Sequence, residues 1–116
     1  MKSFKINSAE RKIEVVEINS WEEIAPQIGN GCTTFAAPVT LDNEDTIYVD
    51  DEGLFNSFEG GFKMEGWSYP IVGNGIVQGT DEEGESIEPL TTKEELEKMI
   101  IWVSKEECLR WASNFN

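Results

Sequence analysis

The stretch Asp42-Asn43-Glu44-Asp45-Thr46-Ile47-Tyr48-Val49-Asp50-Asp51-Glu52-Gly53-Leu54 sets a short β-branched and aromatic run, Thr46 to Val49, between two acidic clusters. Such side chains fill a pleated surface well, and the flanking Asp, Asn and Gly mark where it stops. The run therefore predicts a strand with a carboxylate patch at each end. A second apolar run, Tyr69 to Gln78, reads as a buried strand interrupted at Gly73-Asn74-Gly75, where glycine permits a tight turn or a bulge. A mainly antiparallel sheet built around Ile47–Val49 and Ile71–Val77 follows as the expected centre of the fold.

Upstream, Ser3–Asn7 and Lys12–Ile18 alternate apolar with polar residues around the turn signal Asn7-Ser8-Ala9-Glu10. They predict an N-terminal antiparallel hairpin. Ser20-Trp21-Glu22-Glu23 has capping-box spacing, and Gly29 supplies a stop. A helix of about two turns, limited or kinked by Pro26, is expected to pack Trp21, Ile24, Ala25 and Ile28 on the hairpin. In Cys32–Leu41 the inward candidates are Phe35, Val39 and Leu41, and Pro38 points to an edge or a bulge.

Downstream, Leu54 to Trp67 mixes glycines with aromatics and reads as a long loop carrying short strands. Thr92-Lys93-Glu94-Glu95 and Ser104-Lys105-Glu106-Glu107 repeat the capping-box spacing and start two more short helices. Between them the latter part of Met99–Val103 reads as a strand, with a single bent helix as the alternative. Residues 1–116 are thus expected to form a single acidic α+β domain, a mainly antiparallel sheet with an N-terminal hairpin and three short helices. At this length a chain buries roughly two-thirds of its unfolded surface, enough for one core.

Charge narrows the classes of partner. Net charge is −14, yet residues 1–12 carry an excess of three positive charges, and nearly all the negative charge lies between Ile13 and Thr92, where Lys63 is the one base. Such a field repels nucleic acid and anionic membranes and attracts basic proteins. There is no histidine and no CxxC pair, so no zinc site is expected, and Cys32 and Cys108 read as reduced thiols of a cytoplasmic protein, with a disulfide between them left open. No apolar run approaches the roughly 20 residues that span a bilayer.

No motif carries catalysis. Gly73-Asn74-Gly75-Ile76-Val77-Gln78-Gly79 lacks the phosphate-loop spacing, the following helix and the closing Lys-Ser/Thr pair. Neither Asp42-Asn43-Glu44-Asp45 nor Asp81-Glu82-Glu83-Gly84-Glu85 has the spacing of an EF-hand loop. Neither cysteine has a histidine to act as its base. No cofactor and no metal are expected. Two binding surfaces stand out instead: an extended row of carboxylates imitating the charge of a nucleic-acid backbone, and the aromatic loop Phe55–Trp67 as an apolar contact patch for a partner or a self-copy.

Ile47-Tyr48-Val49-Asp50-Asp51-Glu52-Gly53-Leu54, Pro70-Ile71-Val72-Gly73-Asn74-Gly75-Ile76-Val77 and Gly79-Thr80-Asp81-Glu82-Glu83-Gly84 together resemble a family of small proteins of unknown function carried by phages and mobile elements of gut bacteria. The resemblance covers roughly residues 40–90. It implies a context in which small inhibitors of host machinery or antagonists of bacterial defence are common.

The expected function is a non-enzymatic binding protein that engages a basic protein surface, such as a nucleic-acid-binding or defence protein, through Asp42, Glu44, Asp45, Asp50, Asp51, Glu52, Asp81, Glu82, Glu83 and Glu85. Two alternatives stay open. One is a binder of a signalling nucleotide at an oligomer interface, using aromatics and Lys2, Lys5, Lys63 or Arg110; the other is a weak carboxylate-based enzyme. Direct nucleic-acid or membrane binding is not expected, and a homo-oligomer is left open.

Overall fold

The computed structural model describes residues 1–113. The alternation at the N-terminus forms β1 (Lys2–Asn7) and β2 (Lys12–Glu17), an antiparallel hairpin in which Phe4 faces Val15 and Ile6 faces Ile13. Thr46–Asp50 is β4, and its neighbour is β7 (Gly75–Thr80), with Ile47 opposite Val77 and Tyr48 opposite Ile76. The larger sheet runs β2-β1-β7-β4-β3, with β3 spanning Phe35–Thr40, and a short β8 (Ser86–Ile87) pairs with the end of β7. A register shift between Ala36 and Val39 places a bulge at Pro38 on the edge strand β3, as its missing N–H requires.

The run Tyr69–Gln78 does not build one sheet. Ile71–Val72 is β6, which joins β5 (Gly60–Met64) and β9 (Ile100–Ser104) in a separate sheet of order β6-β5-β9. Gly73-Asn74 is where the chain crosses between sheets. Gly73 takes φ 88° and donates its N–H to the Gly60 carbonyl at 2.8 Å. The buried Asn74 amide accepts the Ser8 N–H at 2.8 Å and donates to the Ile28 carbonyl at 2.9 Å, tying the hairpin turn to the end of the first helix. A strand follows this glycine segment, so its glycines serve the crossover.

The main core lies between the two sheets: Phe4, Ile6, Ile47, Val49 and Val77 meet Phe62, Met64, Ile100 and Leu96. Leu96 comes from α2 (Lys93–Met99), whose Thr92–Glu95 capping box is complete, with Thr92 Oγ1 accepting the Glu95 N–H at 3.1 Å and Glu95 Oε1 accepting the Thr92 N–H at 3.0 Å. The loop Leu54–Trp67 therefore supplies a central strand of the smaller sheet. α3 (Lys105–Ser113) covers the far side of that sheet, where Phe58, Val72, Val103 and Cys108 form a third cluster. The strand reading of the latter part of Met99–Val103 holds, within β9.

The opposite face of the larger sheet is covered by α1 (Ile24–Ile28), entered through a 3₁₀ turn at Trp21–Glu23. Ile24 and Ile28 pack with Tyr48, Ile76 and Ile18. The helix thus crosses β4 and β7, and the hairpin contributes mainly its end, a correction to the packing expected above. Trp21 stays exposed and stacks on Phe35 at a centroid distance of 5.3 Å. The capping box expected at Ser20–Glu23 is not formed. Glu23 accepts the Asn19 N–H at 2.9 Å, whereas the Ser20 side chain makes no capping bond, because the tighter 3₁₀ turn displaces the N–H it would accept. Gly29 ends the helix with φ 75°.

Candidate functional site: an acidic rim around Phe55

Pairing of β4 with β7 decides where the acids go. The strands are antiparallel, so the turn before β4 and the turn after β7 lie at the same end of the sheet, joined by Thr46 Oγ1 and Thr80 Oγ1 at 3.4 Å. Asp42 and Glu44 are exposed there together with Asp81, Glu82, Glu83 and Glu85. Asp81 also organises its own turn, since its Oδ1 accepts the Glu83 and Glu85 N–H groups at 2.9 Å each. Asp51 and Glu52 are exposed at the other end, about 17 Å away along the five residues of β4. The carboxylates therefore form two separate groups and no continuous row resembling a duplex backbone.

Two of the expected surface acids are structural. Asp45 is fully buried, and its carboxylate accepts the Leu90 N–H at 3.0 Å and the Thr91 N–H at 2.8 Å. It fastens the approach to α2 onto β4. Asp50 is only 9% exposed; its oxygens accept the Glu52 N–H at 2.9 Å and the Asn56 amide at 2.8 Å. A carboxylate spent on internal N–H donors has little left for a partner, so Asp45 and Asp50 leave the candidate surface.

The chain after Asp50 is more informative. Asp51 and Glu52 lead into a 3₁₀ turn at Gly53–Phe55, which holds Leu54 at the surface and Phe55 87% exposed. Phe55 borders a shallow hollow of about 190 Å³ shared with Glu52, Leu54, Pro70 and Trp111. Trp111 stacks on Tyr69 with ring centroids 5.5 Å apart, and Tyr69 is itself 56% exposed. The apolar patch expected in the loop Phe55–Trp67 is thus divided: Phe58, Phe62 and Met64 enter the cores, while Leu54 and Phe55 stay outside. Tyr69 and Trp111 complete the patch from other segments, which no spacing in the sequence signals.

Neither thiol is poised as a nucleophile. Burial and the neighbouring Asp50 carboxylate push Cys32 up to about 11, and burial raises Cys108. Both cysteines are free. Among the described residues, no three Cys, Asp or Glu side chains converge as a metal site requires, and no helix is long and apolar enough to cross a membrane. Lys2 and Lys5 lie on β1, Lys63 on β5 and Arg110 on α3. None of them lines the hollow at Phe55.

The chain matches no protein-family model, no curated protein and no solved structure. The reading of its function rests on the geometry.

Proposed function

We propose that this is a non-enzymatic binding protein that engages a basic protein surface, with Phe55 as an apolar anchor and Asp51 and Glu52 as its acidic rim. The observation that carries the reading is the exposure of Phe55 beside those two acids, where the other phenylalanines among the described residues are buried or half-buried. A phenylalanine held in water forgoes roughly 2 kcal/mol that burial against a partner would return. Aromatic anchors inside a polar rim are the usual energetic centre of protein interfaces. The rim supplies selectivity and speed, because carboxylates steer cationic surfaces toward the anchor. In the context the sequence resemblance implies, the protein acts as an inhibitor of a host or defence protein.

Capture from a bacterial lysate tests this at low and high salt, comparing the wild type with Phe55→Ala and with the pair Asp51→Asn, Glu52→Gln. One basic protein should be retained by the wild type at low salt and lost from both variants. Equal recovery by all three would overturn the reading.

A further inference from the structure

The main core is not closed on every side. The larger sheet ends at β3, bulged at Pro38, and the smaller one ends at the two-residue β6, so the two edges do not meet. Val39, Leu41, Trp67, Ile71 and Met99, all half-buried against the main core, line the gap between them. The gap is a trough with a cavity of about 550 Å³ on the α2 side and another of about 330 Å³ beside Tyr69, and Val39, Thr40 and Trp67 border both. Volumes of roughly 300–1,000 Å³ are those of ligand sites.

The charge around this apolar floor has one sign in excess. Asp42, Glu65 and Glu95 border the larger cavity against a single cation, Lys98. Among the described residues the ion pairs lie elsewhere, on Met1, Glu10, Lys12, Glu14 and Glu17. Glu95 gives Oε1 to the Thr92 N–H and keeps its second oxygen. The wall contributed by β3 also has open backbone. Leu41 donates to the Asp45 carbonyl at 2.8 Å, so alternation along an antiparallel ladder turns the N–H and carbonyl of Thr40 away from β4.

We propose that this trough seats an extended basic segment of the partner, its backbone alongside Thr40 and an arginine side chain over Trp67 between Glu65 and Glu95. A guanidinium suits both components, since its flat face stacks on an indole and its edge donates to carboxylates. A second copy of this chain is disfavoured as the occupant, because it would bring its own net charge of −14 to an acidic rim. The proposal rests on the reading of the partner as a basic protein, and adds a contact distinct from the Phe55 face.

The probe is a hexapeptide of alternating glycine and arginine with both ends capped, titrated into the full chain while nitrogen–proton correlation spectra are recorded; the same peptide with glutamate for arginine is the control. The arginine peptide should move the Trp67 indole and the Thr40 and Glu65 amides. The double variant Glu65→Gln, Glu95→Gln, which keeps a side chain able to complete the α2 cap, should weaken binding by about tenfold or more. Trp67→Phe should weaken it less than Trp67→Ala. Shifts confined to the turn Asp81–Glu85, or an affinity unchanged in the double variant, would overturn the proposal. In the lysate capture, a partner lost with Phe55→Ala but undiminished with Glu65→Gln, Glu95→Gln overturns the trough and leaves the broader reading standing. No captured protein, with trough shifts intact, does the reverse.

Discussion

Asp45 Oδ2 accepts the Thr91 N–H at 2.8 Å in the protein interior, across 46 residues of sequence. One carboxylate of an acidic turn thereby joins the start of β4 to the segment that launches α2. Asp45→Asn replaces one acceptor by a donor facing an N–H group, and should cost about 1–3 kcal/mol. Asp42→Asn, at an exposed position of the same turn, should stay within about 0.5 kcal/mol. Urea unfolding of the two variants beside the wild type checks the contrast.

Gly61 of β5 lies against both β6 and α3. A Cβ there would lie 2.2 Å from the Ile71 carbonyl oxygen and 2.9 Å from Cys108 Sγ. Neither the paired backbone nor the packed helix can withdraw without breaking its own contacts, so Gly61→Ala should cost at least about 3 kcal/mol. At Gly84 nothing lies within 4 Å, and the cost of alanine is that of φ 84° alone, roughly 1 kcal/mol. Thermal melts of both variants measure the difference.

The helix caps give a second internal comparison. Thr92→Ala removes a bond the structure makes and should cost about 1 kcal/mol, whereas Ser20→Ala removes none and should stay within about 0.5 kcal/mol. The Thr92 N–H and hydroxyl hold the Glu95 carboxyl below its ordinary value. A carboxyl depressed in the folded state stabilises fully above its unfolded value and loses that contribution as pH falls through the folded one. The difference between wild type and Thr92→Ala should therefore narrow in acid, which melts over a pH series would show.

Cys32, pushed up to about 11 by burial and by Asp50, should carry on the order of a hundredfold less thiolate at pH 8 than an ordinary thiol. Alkylation by iodoacetamide should be slow and accelerate with each rise in pH toward that value. Asp50→Asn should speed it at pH 8, and mass spectrometry of timed samples reports the rate.

Phe55→Ala should leave stability within about 0.5 kcal/mol, because the ring is almost wholly in water, while abolishing partner capture. Neutralising Asp50 is a different experiment from neutralising Asp51 and Glu52: Asp50→Asn should lower the urea midpoint, and the other two should not. Paired unfolding and capture measurements on the same variants separate fold from function.

Much of the fold was legible because its signals are local. The hairpin follows from alternation at Phe4, Ile6, Ile13 and Val15, α2 from Thr92 and Glu95, and the bulge in β3 from Pro38. The crossover at Gly73-Asn74 was not legible, since a tight turn within one sheet and a passage between two have the same glycine chemistry. The candidate surface was half legible. Its acids are visible as a cluster, but Asp50 and Asp51 are adjacent in sequence and opposite in fate.

The sequence by itself determined the N-terminal hairpin, the strand at Thr46–Val49 and the capped helix α2, and that the molecule carries a strongly negative field, because periodicity, capping and charge depend on neighbours along the chain. Only the tertiary structure decided which carboxylates meet water, which sheet each strand joins, and that Phe55, Tyr69 and Trp111 share a face. Burial of Asp45 requires Leu90 and Thr91, and the patch at Phe55 requires a residue from α3; no local pattern encodes what a distant segment covers or leaves open.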